Sequence, residues 1–254
     1  MIRVGIIGGS GLDDPDIIEN CEKIEMDTPY GPPSSDIMAG LINDTQVLSL
    51  ARHGRNHQYS PTQVNNRANI DALKQAGATH ILATTACGSL NPEIDRGHFV
   101  ILDQFIDFTR FRKNTFADSF EQGAVHTAMA YPFDESLRNV LYRSAIDMGL
   151  NAHDKGCVVT IEGPRFSTVA ESKMFRVWGA DVINMSTAPE AMLANEAGIP
   201  YAAVAMATDY DCWKQDEAPV TWDEILSVFK KNADNVKQLF IKAISQITAM
   251  ADPV

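Results

Sequence analysis

Residues 184–213, NMSTAPEAMLANEAGIPYAAVAMATDYDCW, constrain the fold more than any other stretch of the chain. Tyr201 to Ala207 is an almost wholly apolar run of strand length. Such a run has no polar side to turn toward water, so it needs cover on both faces, as in a parallel sheet sandwiched between helices. Before it, Thr187 and Glu190 have the T-x-x-E spacing of a capping box, Pro189 fits a first helical turn, and Gly198 and Pro200 stop the helix. Polar residues collect where the two strands of this unit end, at Met185-Ser186-Thr187 and at Thr208-Asp209-Tyr210-Asp211. Ligands of open α/β sheets bind beyond the carboxyl ends of strands. Hydroxyls, two carboxylates and a helix N-terminus suit a site that holds an anion and moves a proton. The same residue types also serve ordinary caps and turns, and this segment alone leaves both readings open.

The pattern of an apolar run followed by a polar end recurs. Ile2 to Ile7 leads into Gly8-Gly9-Ser10-Gly11. This is not a dinucleotide fingerprint, because Asp14 stands where the third glycine would be, and no P-loop lysine follows. A backbone cradle for a phosphate, with the Ser10 hydroxyl as an extra donor, and a plain tight turn both fit. Residues 12–36, rich in proline, read as loop. Ile37–Leu41 and Thr45–Ala51 flank the hairpin signal Asn43-Asp44, and the second run ends in Arg52-His53-Gly54-Arg55 with His57 beyond. A basic cluster at a strand end suits an oxyanion clamp, since arginine grips phosphate in bidentate fashion; a surface ion-pair cluster is the alternative. Ser60 and Gln63 predict a helix start, and Gly77 its end. His80 to Ala86 reads as a buried strand passing into Cys87-Gly88-Ser89, and 97–108 as one further strand. Residues 109–133 are irregular and hold Arg110, Arg112 and His126; connections that long are usually functional or interface loops. Asp134 caps a helix running through Met148. The strand 156–161 ends in Glu162-Gly163-Pro164-Arg165-Phe166-Ser167, and Thr168 with Glu171 caps the next helix. Thr221 and Glu224 cap a long last helix, with Val236, Leu239, Phe240, Ile244 and Ile247 facing inward.

Composition removes several classes of function. The 254 residues carry a formal net charge of −12, which lacks the basic footprint that nucleic acid or anionic membranes require. No apolar run approaches a membrane span, and the opening MIRVGIIGG lacks a cleavage region, so a signal peptide is not expected. Cys21, Cys87, Cys157 and Cys212 form no C-x-x-C pair, which favours reduced thiols in a cytoplasmic protein over a disulfide framework or a zinc site. There is no metal-ligand spacing and no G-x-S-x-G nucleophile elbow.

Six strand ends thus carry ligand-grade residues, and strands of one twisted sheet bring such ends to a shared pocket. The motifs GGSGLDDP at 8–15, LARHGRNH at 50–57, TTACGSL at 84–90, DQFID at 103–107, TIEGPRFS at 160–167, WGADVINM at 178–185 and MATDYDCW at 206–213 are together specific. The chain resembles the methylthioadenosine phosphorylases of the trimeric branch of the purine nucleoside phosphorylase family, over residues 3 to about 245. The resemblance implies a single α/β domain over residues 1–254, with a twisted, mixed, mostly parallel and partly barrel-like β-sheet flanked by helices. It implies phosphorolysis: phosphate attacks C1′ of the ribose and the purine leaves. Phosphate would be bound by Ser10, Arg52, His53, Thr85, Ala86 and Ser186. The nucleoside would be bound by Phe166, Ser167, Met185, Asp209 and Asp211, with Asp209 assisting protonation of purine N7. The 5′ group would meet His126 from a neighbouring subunit of a homotrimer, together with Trp222 and Ile225. Human-type members have a smaller apolar residue at position 222, and the chain ends at Val254 soon after this helix, so a 5′ pocket of altered size and a more open lid are expected. No cofactor is implied, inorganic phosphate being a co-substrate.

Asp209 itself speaks to the base: it can accept from a 6-amino group, whereas a 6-oxo group calls for a donor such as asparagine. A 6-oxopurine or methylthioinosine phosphorylase on the same scaffold is therefore the disfavoured rival. A nucleoside-binding protein without catalysis would need no proton donor. An oxidoreductase would rest on the Gly8–Gly11 loop alone.

Overall fold

The computed structural model describes residues 1–8, 17–121, 123–214 and 222–251. Among the described residues eleven strands form one sheet. In chain order they are β1 (Arg3–Gly8), β2 (Glu19–Ile24), β3 (Ile37–Ile42), β4 (Thr45–Ala51), β5 (His80–Ser89), β6 (Phe99–Ile101), β7 (Gln104–Phe108), β8 (Ala152–His153), β9 (Cys157–Ile161), β10 (Val182–Asn184) and β11 (Tyr201–Asp209). The helices are α1 (Asn66–Gln75), α2 (Glu135–Asp147), α3 (Val169–Val177), α4 (Thr187–Glu196) and α5 (Trp222–Ala251).

The main path of the sheet runs β2-β3-β4-β1-β5-β10-β9-β7, with β11, β6 and β8 continuing from the other edge of β5. Most pairings are parallel; the β2–β3–β4 meander, β10 with β5 and β11 with β6 are antiparallel. The described strands form an open, branched sheet, and the expected partial barrel does not close.

β5 is the trunk of this arrangement. On one edge it pairs with β11 almost throughout. On the other it pairs with β1 from His80 to Ala83, and with β10 only at Gly88 and Ser89. Between these two partners lies a gap at Thr84–Cys87, and the candidate site opens there.

The expected two-sided burial holds, since every residue of β11 is buried. On one face, Ile70 and Leu73 of α1 and Leu193 of α4 join a core with Ile7, Leu50 and Ala203. On the other, Leu141 of α2 and Leu239, Phe240 and Ile244 of α5 pack with Val4, Leu82 and Val204. Phe175 of α3 closes a third cluster with Val159 and Ile183.

Several boundaries differ from the sequence reading. Residues 19–24 form edge strand β2 within the stretch read as loop; ENCEKI is mostly exposed, so no apolar run announces it. The run 97–108 is two strands: β6 pairs with β11 and β7 with β9. The chain changes neighbours at Leu102-Asp103, where the Asp103 carboxylate accepts from the Gly156 N–H at 2.9 Å. Gln63 does accept from the Ser60 N–H, but this closes only a 3-10 turn at Pro61–Gln63; α1 starts later, with Asn65 accepting from the Ala68 N–H. Thr187 and Glu190 do not form a capping box, because Ser186 is the N-cap and Glu190 is turned into the core. Thr221 lies outside the described residues. The N-cap at Asp134 and the capping box of Thr168 with Glu171 form as expected.

Leu239 is fully buried between α5 and the sheet. Leu239→Ala should cost about 2–5 kcal/mol, read as a lower urea midpoint at unchanged slope.

Candidate active site

The gap beside β5 is the floor of a cavity of about 480 Å³, within the usual range for a small-molecule site. Ten of the residues singled out from sequence line it: Arg52, His53, Thr85, Ala86, Phe166, Ser167, Met185, Ser186, Asp209 and Asp211. Ser10 lies outside the described residues, as do the side chains of Trp222 and Ile225. His126 is exposed in the 109–133 loop, packed edge-on against Phe120 at 5.5 Å, and is not among the cavity's lining residues.

Arg52 follows the last residue of β4 and is 2% exposed. Its Nη1 donates to the Thr84 carbonyl at 2.8 Å, the acceptor left by the gap between β1 and β10. Nε and Nη2 donate to the two carboxylate oxygens of Glu190 at 2.5 and 3.0 Å. Glu190 is fully buried and also accepts from the Tyr201 hydroxyl at 2.9 Å. Sequence reasoning placed Glu190 in a cap; the signal that would have placed it correctly is its position one helical turn beyond the N-cap, on the helix face turned to the core.

His53 Nδ1 lies 2.9 Å from the Tyr59 carbonyl. A carbonyl only accepts, so Nδ1 carries the proton and Nε2 presents a lone pair. Burial, together with the Arg52 charge, lowers its pKa to about 4, so the ring is neutral near pH 7. Its ring stacks on His57 with centroids 4.7 Å apart.

Asn184, at the end of β10, was not singled out from sequence and proves to be a hub. Its Oδ1 accepts from the Thr160 hydroxyl at 2.8 Å, and its Nδ2 donates to Thr85 Oγ1 at 3.3 Å and to Thr187 Oγ1. The Thr85 and Ser186 hydroxyls stand 3.2 Å apart at the cavity floor. Two hydroxyls, an arginine and a neutral imidazole line this part of the cavity, a set of groups able to hold an oxyanion.

Asp209, at the end of β11, is 8% exposed. Burial raises its pKa, against the opposing effect of bonds from the Thr208 hydroxyl and the Asp211 N–H. Burial raises Asp211 as well. Gly88 leaves the space in front of this carboxylate clear: a Cβ there would sit 2.9 Å from Asp209 Oδ2 and 3.0 Å from Ile183 Cγ2.

The wall at Met185 is tied to the long loop. Arg112 donates from Nε to Glu162 Oε1 at 3.0 Å and from Nη1 to the Met185 carbonyl at 3.0 Å. Burial alone would raise the Glu162 pKa, but donors from Arg110, Thr62, Arg112 and Phe111 hold it down at about 2. That carboxylate is therefore ionised and ties the end of β9 to Thr62 and to the 110–112 segment of the loop. Among the described residues, no group of His, Cys, Asp and Glu could hold a metal ion.

A cavity at strand ends, with hydroxyls at its floor and a buried carboxyl group of raised pKa among its lining residues, suits a group-transfer enzyme working on an anionic co-substrate. Comparisons with known proteins agree. The phosphorylase superfamily model matches residues 3–245, and the chain belongs to that family. S-methyl-5′-thioadenosine phosphorylase of Xenopus tropicalis is 55% identical, covering 98% of this chain and 90% of its own. The protein of that name from Drosophila melanogaster is 49% identical, covering 97% of this chain and 86% of its own. Among solved structures, methylthioadenosine phosphorylase from Schistosoma mansoni in complex with adenine superposes with a TM-score of 0.94 at 41% identity, covering 98% of this chain and 93% of its own. A point mutant of the Schistosoma enzyme, in complex with methylthioadenosine, gives a TM-score of 0.91 at 40% identity, with coverage of 98% and 93%.

Two outcomes follow. Glu190→Gln leaves Arg52 buried without its counter-charge and should destabilise the fold by about 3–5 kcal/mol in urea unfolding. For His53 the folded pKa lies below the unfolded one, so between pH 6.5 and about 4 the unfolded chain takes up a proton that the fold excludes. Stability contributed by neutral His53 is complete above that window and lost as pH falls through it; His53→Gln should flatten this part of the wild-type stability profile.

Proposed function

We propose that the protein catalyses phosphorolysis of 5′-methylthioadenosine, releasing adenine and 5-methylthioribose 1-phosphate. The observation that carries this reading is one cavity with the hydroxyls of Thr85 and Ser186 at its floor and buried Asp209 in its wall. The names of the relatives point to the same substrate.

Phosphate sits between Arg52, the Thr85 and Ser186 hydroxyls and the Ala86 backbone, with Ser10 completing the cradle. The lone pair on His53 Nε2 accepts from the proton that hydrogen phosphate carries. The anion is nucleophile and electrostatic partner at once for a ribosyl group that becomes cationic as the glycosidic bond opens. Met185 flanks the sugar, and Phe166 and Ser167 face the purine. Asp209 gives N7 the proton that makes adenine a stable leaving group, and its raised pKa keeps it protonated closer to neutrality than a solvated carboxyl group. As a carboxylate it accepts from the 6-amino group, which sets adenine above 6-oxopurines. No further cofactor is required.

The assembly is a homotrimer in the cytoplasm, with His126 of each subunit reaching the 5′ end of a neighbour's site, beside Trp222 and Ile225. Support comes from the 109–133 loop, where Phe111, Phe120, Val125 and Tyr131 are at least half exposed. Such apolar exposure on one segment marks an interface.

The test follows adenine release from methylthioadenosine with and without phosphate. Release should need phosphate, and Asp209→Asn should lower kcat by about a hundredfold or more. Release independent of phosphate would identify a hydrolase, and preference for inosine or methylthioinosine would overturn the adenine assignment.

A further inference from the structure

β11 carries one irregularity, and it falls beside the acid. Its register against β5 runs Ala207 to Cys87 and then Asp209 to Gly88, so Thr208 is the extra residue of a bulge. A bulge re-aims the side chain that it carries. Thr208 is 3% exposed, and its hydroxyl has two acceptors within reach: Asp209 Oδ1 at 2.7 Å and the Cys87 carbonyl at 3.1 Å. A hydroxyl has one proton and donates to one of them at a time. The other carboxylate oxygen, Asp209 Oδ2, accepts at 2.9 Å from the Asp211 N–H, a backbone donor that cannot turn away.

We propose that Thr208 is a positioning residue that follows the charge on Asp209: its hydroxyl donates to Asp209 Oδ1 when the carboxylate is ionised, and to the Cys87 carbonyl when it is protonated. The proposal rests on the reading of Asp209 as the acid. In the reaction the C1′–N9 bonding pair moves onto the purine ring, the Asp209 O–H bond breaks and the N7–H bond forms. The electron pair of that O–H bond stays on the carboxylate. Thr208 then turns its proton from a carbonyl to an oxygen that has just become anionic, where a hydrogen bond is strongest. Stabilisation that grows as the charge appears acts on the barrier, whereas a bond equally strong before and after does not.

The other ionisable groups around Asp209 leave this role to Thr208. The Cys87 thiol on β5 is pushed well above its usual range by burial and then by Asp209 itself, so it adds no charge. Asp211 opposes ionisation of Asp209, and Arg96 favours it. Neither of their charges changes place during proton transfer.

Kinetics of methylthioadenosine phosphorolysis by Thr208→Val, Thr208→Ala and Thr208→Ser across the acid and neutral range test this. The Val and Ala variants should lose about tenfold or more in kcat and leave the KM for phosphate unchanged. They should also move the limb of the kcat/KM profile that reports Asp209 to higher pH by about one unit. Thr208→Ser, which keeps the hydroxyl, should restore both. A wild-type profile in Thr208→Val, a loss of kcat without a shifted limb, or a Ser variant that behaves like Val would each overturn the proposal. If Val does not fold, Ala against Ser carries the same comparison. An Asp209→Asn enzyme of wild-type turnover would remove the acid assignment, and this proposal with it. Inactive Asp209→Asn beside an unaffected Thr208→Val would remove this proposal alone.

Discussion

Arg52 and Glu190 meet inside the protein, where neither charge is hydrated. Isolated, such a pair is a poor source of stability, because desolvation consumes much of the Coulomb energy. Its value here is architectural. Arg52 follows β4, Glu190 sits in α4, Tyr201 begins β11, and the Thr84 carbonyl belongs to β5, so one set of hydrogen bonds fixes four elements around the cavity floor. The pair also sets the electrostatics. With the guanidinium matched by Glu190 and His53 neutral, the phosphate site proposed here offers oriented donors rather than a strong excess of positive charge. Binding of this kind depends on geometry, and Asn184 supports it by donating to the Thr85 hydroxyl at 3.3 Å and accepting from the Ser186 N–H at 3.4 Å.

The parts of the fold visible in the sequence were those written in apolar runs and caps. β1, β4, β9 and β11 are continuous buried strands, and the cap at Asp134 and the capping box at Thr168 point to one local structure each. β2 was hidden because an exposed antiparallel edge strand has no apolar run to show. The split between β6 and β7 was hidden because only Leu102-Asp103 separates them, and the change of neighbours is decided by pairing across the sheet. Glu190 was misread for a related reason: T-x-x-E is a local signal, and a buried arginine far away in sequence outweighed it.

The site itself was largely readable, since polar residues after buried strands have few structural uses in such number. What the chain did not disclose were the supporting contacts. Asn184 resembles any strand-end asparagine until Thr160, Thr85 and Thr187 surround it. Arg112 resembles any loop arginine until its guanidinium is seen bridging Glu162 and the Met185 carbonyl. Such residues carry no motif because their partners come from remote segments.

The gap along β5 has a mechanical side. A plate with a slot cut in its middle bends along the slot, and here the slot separates the β4–β1 strands from the β10–β9–β7 strands. Across it the backbone ladder is replaced by side chains, the Arg52 guanidinium first among them. A ligand that fills the slot and binds only the folded sheet would therefore stabilise the fold by mass action, in step with its occupancy.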